Sequence, residues 1–170
     1  MKHYSRFPLA LILAALLSAS TSAQNPTNQT LLTVGGQVDH PLQLTRADLD
    51  KYARQTVRAK DHDGKEYGYE GVVLADILRM AGVKLGEQLR GKALATCLLV
   101  TAADGYEAVF ALPEFDQLAN DRVIIIADRR DGQPLPANAA PLQIIVPGDK
   151  RHARWVRQVK SLTIVAVTVR

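Results

Sequence analysis

The chain has 170 residues, 47% of them hydrophobic and 22% charged, with a formal net charge of +4. That composition fits one ordinary globular domain and excludes a fibrous, low-complexity or disulfide-dense class. A single cysteine, Cys97, rules out an intramolecular disulfide.

Residues 1–23 read as a targeting segment. Lys2 and Arg6 form a basic start, Leu9 to Leu17 is an almost unbroken apolar run, and Thr21-Ser22-Ala23 suits a signal peptidase. The run falls short of the roughly 20 apolar residues that span a bilayer. A cleaved signal peptide, with the mature chain periplasmic or secreted and no membrane span left, is therefore expected. Its removal takes away Lys2 and Arg6 and no acid, lowering the +4 by two. Global charge then offers no case for nucleic acid, and any charge argument has to be local.

Residues 24–30 are polar and read as a disordered leader, followed by one domain over residues 31–170. Leu31 to Val34 and Pro41 to Leu44 read as short strands. Thr45 is placed to cap a helix running to Tyr52, with Asp48 returning the hydrogen bond as a shortened capping-box partner. Thr56–Lys60 and Lys65–Glu70 form the arms of a hairpin around Asp61-His62-Asp63-Gly64. Val72 to Ala81 has helical spacing, with Val73, Ile77 and Met80 on its apolar face and Gly82 ending it.

A second hairpin joins Leu94–Ala102 to Tyr106–Leu112 through Asp104-Gly105. Cys97 lies in its first arm and is expected to be a buried core thiol. Pro113 opens a short helix to Leu118. Val123 to Ala127 is β-branched and uninterrupted, so it reads as a central strand buried on both faces. Arg129 to Pro134 is a turn, Leu142 to Val146 a strand ended by Pro147-Gly148, and Gln158 to Val169 a long closing strand. About eight strands with two or three short helices predict a strand-dominated α+β fold with mixed sheets rather than a doubly wound sheet.

The strongest candidate site follows Pro147-Gly148. Lys150, Arg151, Arg154, Arg157 and Lys160 crowd around the only tryptophan, Trp155. Arginine presents a planar fork of donors to phosphate or sulfate, and backbone amides after the Pro-Gly turn can add more. An indole can stack on a guanidinium or a flat ring. The plainer reading of such a run is a solvated edge with Trp155 buried beneath. Asp61-His62-Asp63 sets one imidazole between two carboxylates, with no second histidine at ligand spacing, so no metal site is expected. There is no Gly-x-Ser-x-Gly elbow, no Cys-x-x-Cys pair and no phosphate-cradling glycine loop.

Four segments together resemble the molybdopterin-binding domain of the sulfite oxidase family. They are Leu32-Thr33-Val34-Gly35-Gly36-Gln37-Val38 with Leu42 to Thr45; Tyr69-Glu70-Gly71-Val72-Val73-Leu74 leading to Ala81-Gly82-Val83; Asp104-Gly105-Tyr106; and Pro141 to Gly148 with Arg154-Trp155-Val156. The resemblance spans roughly residues 31–165. It implies a sulfite-oxidase-like molybdopterin-binding fold, a pterin cofactor and oxidoreductase chemistry of the sulfite or sulfoxide class. It also implies that the Tyr106 hydroxyl approaches the pocket of Lys150, Arg151, Arg154 and Trp155.

Members of that family hold molybdenum through a cysteine between the first helix and the aromatic-Gly-Val segment. Here that interval, Val57 to Lys65, has none. A carboxylate or imidazole is a different kind of ligand from a thiolate. The expectation is a non-catalytic binding or accessory module for a small anionic ligand or a periplasmic partner protein, with no catalytic residue assigned and no bound metal. No cofactor is expected on the residues themselves, and molybdopterin is the one that the resemblance implies. Two alternatives remain: a minimal molybdopterin-dependent oxidoreductase, and a partner-binding module of a periplasmic sensory or transport system.

Overall fold

The computed structural model describes residues 29–167. The signal segment 1–23 and most of the leader lie outside the described residues. Ten strands, two α-helices and several 3₁₀ turns follow one another in the order β1 (Leu32–Gly36), β2 (Leu42–Leu44), α1 (Arg46–Leu49), β3 (Arg54–Lys60), β4 (Glu66–Val73), α2 (Leu74–Met80), β5 (Thr96–Ala102), β6 (Glu107–Ala111), β7 (Ile125–Arg130), β8 (Gln133–Pro134), β9 (Gln143–Ile145) and β10 (Val159–Ala166). The fold is the strand-dominated α+β arrangement that the sequence predicts.

The strands form two sheets. The first has the order β2-β1-β10-β5-β6, and the second runs β3-β4-β7-β8 with β9 also paired to β7. Among the described residues only β1 and β10 pair in parallel, which sets the first strand beside the last. One hydrophobic core draws on both sheets: Leu32, Val34, Leu98, Phe110 and Leu162 from the first, Tyr69, Val72, Ile125, Ile126 and Ile144 from the second. β7 pairs with β4 on one side and with β8 and β9 on the other. Ile124 to Asp128 are all buried, as an uninterrupted β-branched run predicts for a central strand.

Local chemistry sets several boundaries. Thr45 and Asp48 close a reciprocal capping box, so α1 starts where the cap dictates. Asp131 and Gly132 both take positive φ (49° and 75°) and turn β7 into β8. Gly82, at φ 82°, ends α2.

Four expectations need correction. Val72 and Val73 belong to β4, not to the following helix: they pair with Ile126 and Ile125 of β7, and cross-strand packing of β-branched residues outweighs their helical spacing. Met80 is 58% exposed, whereas Leu74, Ile77, Leu78 and Ala81, expected on the same apolar face, are buried together with Ala75. The Pro113 helix is only a 3₁₀ turn over Leu112–Phe115. Cys97 is half-buried rather than buried. β5 turns Leu98, Val100 and Ala102 into the core, and period-2 alternation puts Cys97 with Leu99 and Thr101 on the less covered face.

Gly71 marks a close approach between β4 and β7, beside an irregularity in their register. A Cβ there would lie 2.0 Å from the Ile126 carbonyl oxygen and 2.6 Å from the Ala127 Cα, both backbone atoms. At Gly35 an added Cβ would meet nothing within 4 Å. Gly71→Ala is expected to cost about 3 kcal/mol in urea denaturation, and Gly35→Ala less than about 1 kcal/mol.

Candidate functional site

The β3–β4 turn and the segment after β9 face each other across an open cleft of about 860 Å³. The first wall is built on a hydrogen-bonded turn. The Asp61 N–H donates to the Lys65 carbonyl at 2.8 Å, the Gly64 N–H donates to the Asp61 carbonyl at 2.9 Å, and Gly64 takes φ 79°. The Asp61 carboxylate anchors this turn to the second sheet. It accepts from the Tyr69 hydroxyl at 2.9 Å, from the Arg130 guanidinium at 3.0 Å and from the His62 N–H at 2.7 Å.

These contacts set its ionisation. Burial pushes the Asp61 carboxyl upward, but the His62 and Tyr69 hydrogen bonds and the Arg130 charge outweigh it and hold the group below its ordinary value. Burial, together with the ionised Asp61 that it donates to, drives the Tyr69 phenol well above its usual range.

The second wall is the Gly148–Trp155 segment. Trp155 is 4% exposed, and its indole N–H donates to the Val146 carbonyl at 3.1 Å. Its ring meets Tyr69 edge-on at 5.7 Å and His152 at 4.2 Å. His152 in turn meets the His62 ring at 4.3 Å, and its Nε2 lies 2.8 Å from the Lys60 carbonyl oxygen. An aromatic ladder, Tyr69–Trp155–His152–His62, thus ties the two walls together.

The residues singled out in the sequence have separate fates here. Lys150 and Arg151 line the cleft and form no ion pair among the described residues. Trp155 lines it from a buried position, so most of its ring is committed to the core. Arg154 is not among the cleft-lining residues. Its guanidinium grips the Asp149 carboxylate at 3.0 and 3.1 Å and Glu114 at 2.6 Å, and it lies 4.9 Å above the Phe110 ring. Tyr106 borders a smaller adjoining cleft of about 230 Å³, and its hydroxyl donates to the Ala153 carbonyl at 2.6 Å.

Sequence reasoning left out Arg58, Lys60, His62 and His152 as lining residues. His62 and His152 flank both clefts. No spacing pattern links them, because it is the fold that sets the two segments side by side.

Charge in the cleft is unevenly balanced. Glu66 pairs with Arg58, Asp61 with Arg130, and Asp149 with Arg154 and Arg122. Every acid in the lining is therefore engaged, while Lys60, Lys150 and Arg151 are not paired among the described residues. The surplus is positive, and all three of these cations are exposed.

The donor set does not fit a thiolate-held molybdenum. The lining offers carboxylates and imidazoles but no sulfur. Cys97 sits on β5 in the first sheet with its Sγ 3.6 Å from the Val165 carbonyl oxygen, and it lines neither cleft. The surplus cations do fit the anionic part of a pterin-phosphate cofactor.

Residues 20–168 match the family described as the oxidoreductase molybdopterin binding domain, and the chain belongs to it. Among solved structures, the fold is similar to that of the sulfane dehydrogenase SoxCD from Paracoccus pantotrophus, with a TM-score of 0.62 and 23% identity. The likeness covers 78% of this chain but 37% of that one, and at this identity it is a likeness of fold. No curated protein matches the chain.

Removing the Tyr69 hydroxyl tests the Asp61 anchor. Tyr69→Phe is expected to cost about 1–2 kcal/mol near neutral pH, where Asp61 is ionised and accepts this bond. A carboxylate with a depressed folded pKa contributes stability above its unfolded pKa, about 3.9, and loses that contribution as pH falls through the folded value. The gap between Tyr69→Phe and wild type in denaturant titrations should therefore narrow as pH falls from 7 to below 3.

Proposed function

We propose that this domain is a non-catalytic binding module whose cleft takes a small anionic ligand of the pterin-phosphate class without molybdenum. The observation that carries this reading is the pairing pattern: each acid lining the cleft is matched by a cation, and Lys60, Lys150 and Arg151 are left over. Unpaired cations converging on a concave surface are what a phosphate-bearing ligand requires. Membership in a molybdopterin-binding family supports the ring-bearing part of the assignment.

The lack of a lining thiol supports the non-catalytic part. Redox turnover in this family depends on a metal that the cleft has no sulfur to hold. The apparent targeting segment supports an exported location, in which the ligand would be met outside the cytoplasm. Asp61 and Asp149 add acceptors for ring N–H groups, but their existing partners hold them in place, so the cations supply the attraction and the acids the orientation.

Calorimetric titration with a pterin monophosphate and with inorganic phosphate tests the assignment. Each charge-assisted hydrogen bond is worth about 2 kcal/mol, so Lys150→Ala with Arg151→Ala is expected to weaken pterin monophosphate binding about 1,000-fold. Arg154→Ala should show mainly as lost stability, since its partners are Asp149 and Glu114. Equal affinity in the wild type and the Lys150/Arg151 double variant would remove this site.

A further inference from the structure

We propose that Asp61, His62 and His152 form a binding site for a divalent transition metal of the zinc class at the rim of the cleft. This goes beyond the anion-binding reading: Asp61 belongs to both sites, but the two histidines are not among the cations that hold the anion. One donor atom from each of the three residues lies within 4.8 Å of the other two. Zinc bonds of 2.0–2.1 Å in a tetrahedral site need donors about 3.4 Å apart. His62 is exposed, so rotation of its side chain can close the difference.

The second observation is how His152 is held. Its Nε2 lies 2.8 Å from the Lys60 carbonyl oxygen. A carbonyl can only accept, so Nε2 donates, and Nδ1 is the ring nitrogen left for a metal. Ligating histidines are oriented in this way, with the second ring nitrogen donating to a backbone carbonyl or a carboxylate. The His62 ring has no hydrogen-bond partner among the described residues, which leaves its lone pair free. Asp61 is fixed by Tyr69, Arg130 and the His62 N–H, which occupy three of its roughly four acceptor positions.

The plain alternative is an edge-to-face histidine pair at the end of the Trp155 ladder, with no ligand. The two readings differ in what they ask of the rings: an aromatic contact needs only their faces, whereas a metal needs their lone pairs convergent.

The surroundings also choose the metal. Arg130 shares the Asp61 carboxylate, so little net negative charge remains for magnesium or calcium, which depend on oxygen donors. Two imidazoles suit zinc, cobalt, nickel or copper. Three protein ligands leave a position facing the cleft, open to water or to an oxygen of the bound ligand.

The chain contains one tryptophan, and its ring lies 4.2 Å from that of His152, so Trp155 emission reports a nearby cobalt ion by quenching. Untagged protein would be titrated with Co²⁺ by fluorescence and visible absorption, then with Zn²⁺ to displace it. One Co²⁺ per chain, displaced by one Zn²⁺, is expected. His62→Ala and His152→Ala should each weaken Zn²⁺ about 100-fold. His40→Ala, at the one other histidine outside the expected signal segment, should bind as wild type does.

Far-UV circular dichroism checks folding. If His152→Ala fails to fold, the exposed His62 decides the matter alone. No stoichiometric metal, or a His62→Ala loss of less than about tenfold, would overturn the site.

Discussion

The buried indole of Trp155 fixes the segment on which the cleft depends. Its N–H reaches back to the Val146 carbonyl at the end of β9, and its ring stands against Tyr69 of β4 and His152. A buried tryptophan with a satisfied N–H combines a large apolar area with one directional bond, so it fixes both the depth and the orientation of the loop around it. The cations on either side of Trp155 therefore lie on an anchored segment rather than on a free edge. The His152 contacts with the Lys60 carbonyl and the His62 ring then hold the anchored segment against the β3–β4 turn.

A division of labour among the cations follows from this anchor. Arg154 is spent on structure: it links Asp149 and Glu114 and covers the Phe110 ring. Arg130 is likewise committed, to Asp61 and to the Tyr67 ring 4.3 Å away. Asp128, buried between Arg46 and Arg54, ties α1 and β3 to β7 in the same way. The cations left for a ligand are those whose neighbouring acids already have partners. The same economy explains why a domain of modest net charge can present a distinctly positive cleft.

Much of the fold was legible in the sequence because short-range chemistry sets it. The Thr45–Asp48 cap, the glycine ending α2, the hairpin turn at Asp61 to Gly64 and the β-branched run at Val123 to Ala127 each carry their own signal. The errors lay where long-range packing decides. Val72 and Val73 fit a helical period, yet their partners on β7 make them strand residues. Cys97 sits in an apolar run, yet only alternate residues of β5 reach the core. The site was half legible. A cationic segment around a tryptophan can be seen in one dimension, but the engagement of Arg154 by Glu114 cannot. Nor can the contact between His62 and His152, which exists only because the two segments fold side by side.

The chain has the fold of the molybdopterin-binding family with no thiol lining its cleft, and the function proposed for that cleft is recognition rather than redox turnover. Native mass spectrometry with elemental analysis, on protein isolated from its own organism, tests that claim most directly. The account predicts a bound organic anion carrying a pterin or a phosphate, with no molybdenum above background. One molybdenum atom per chain, retained through purification, would contradict it.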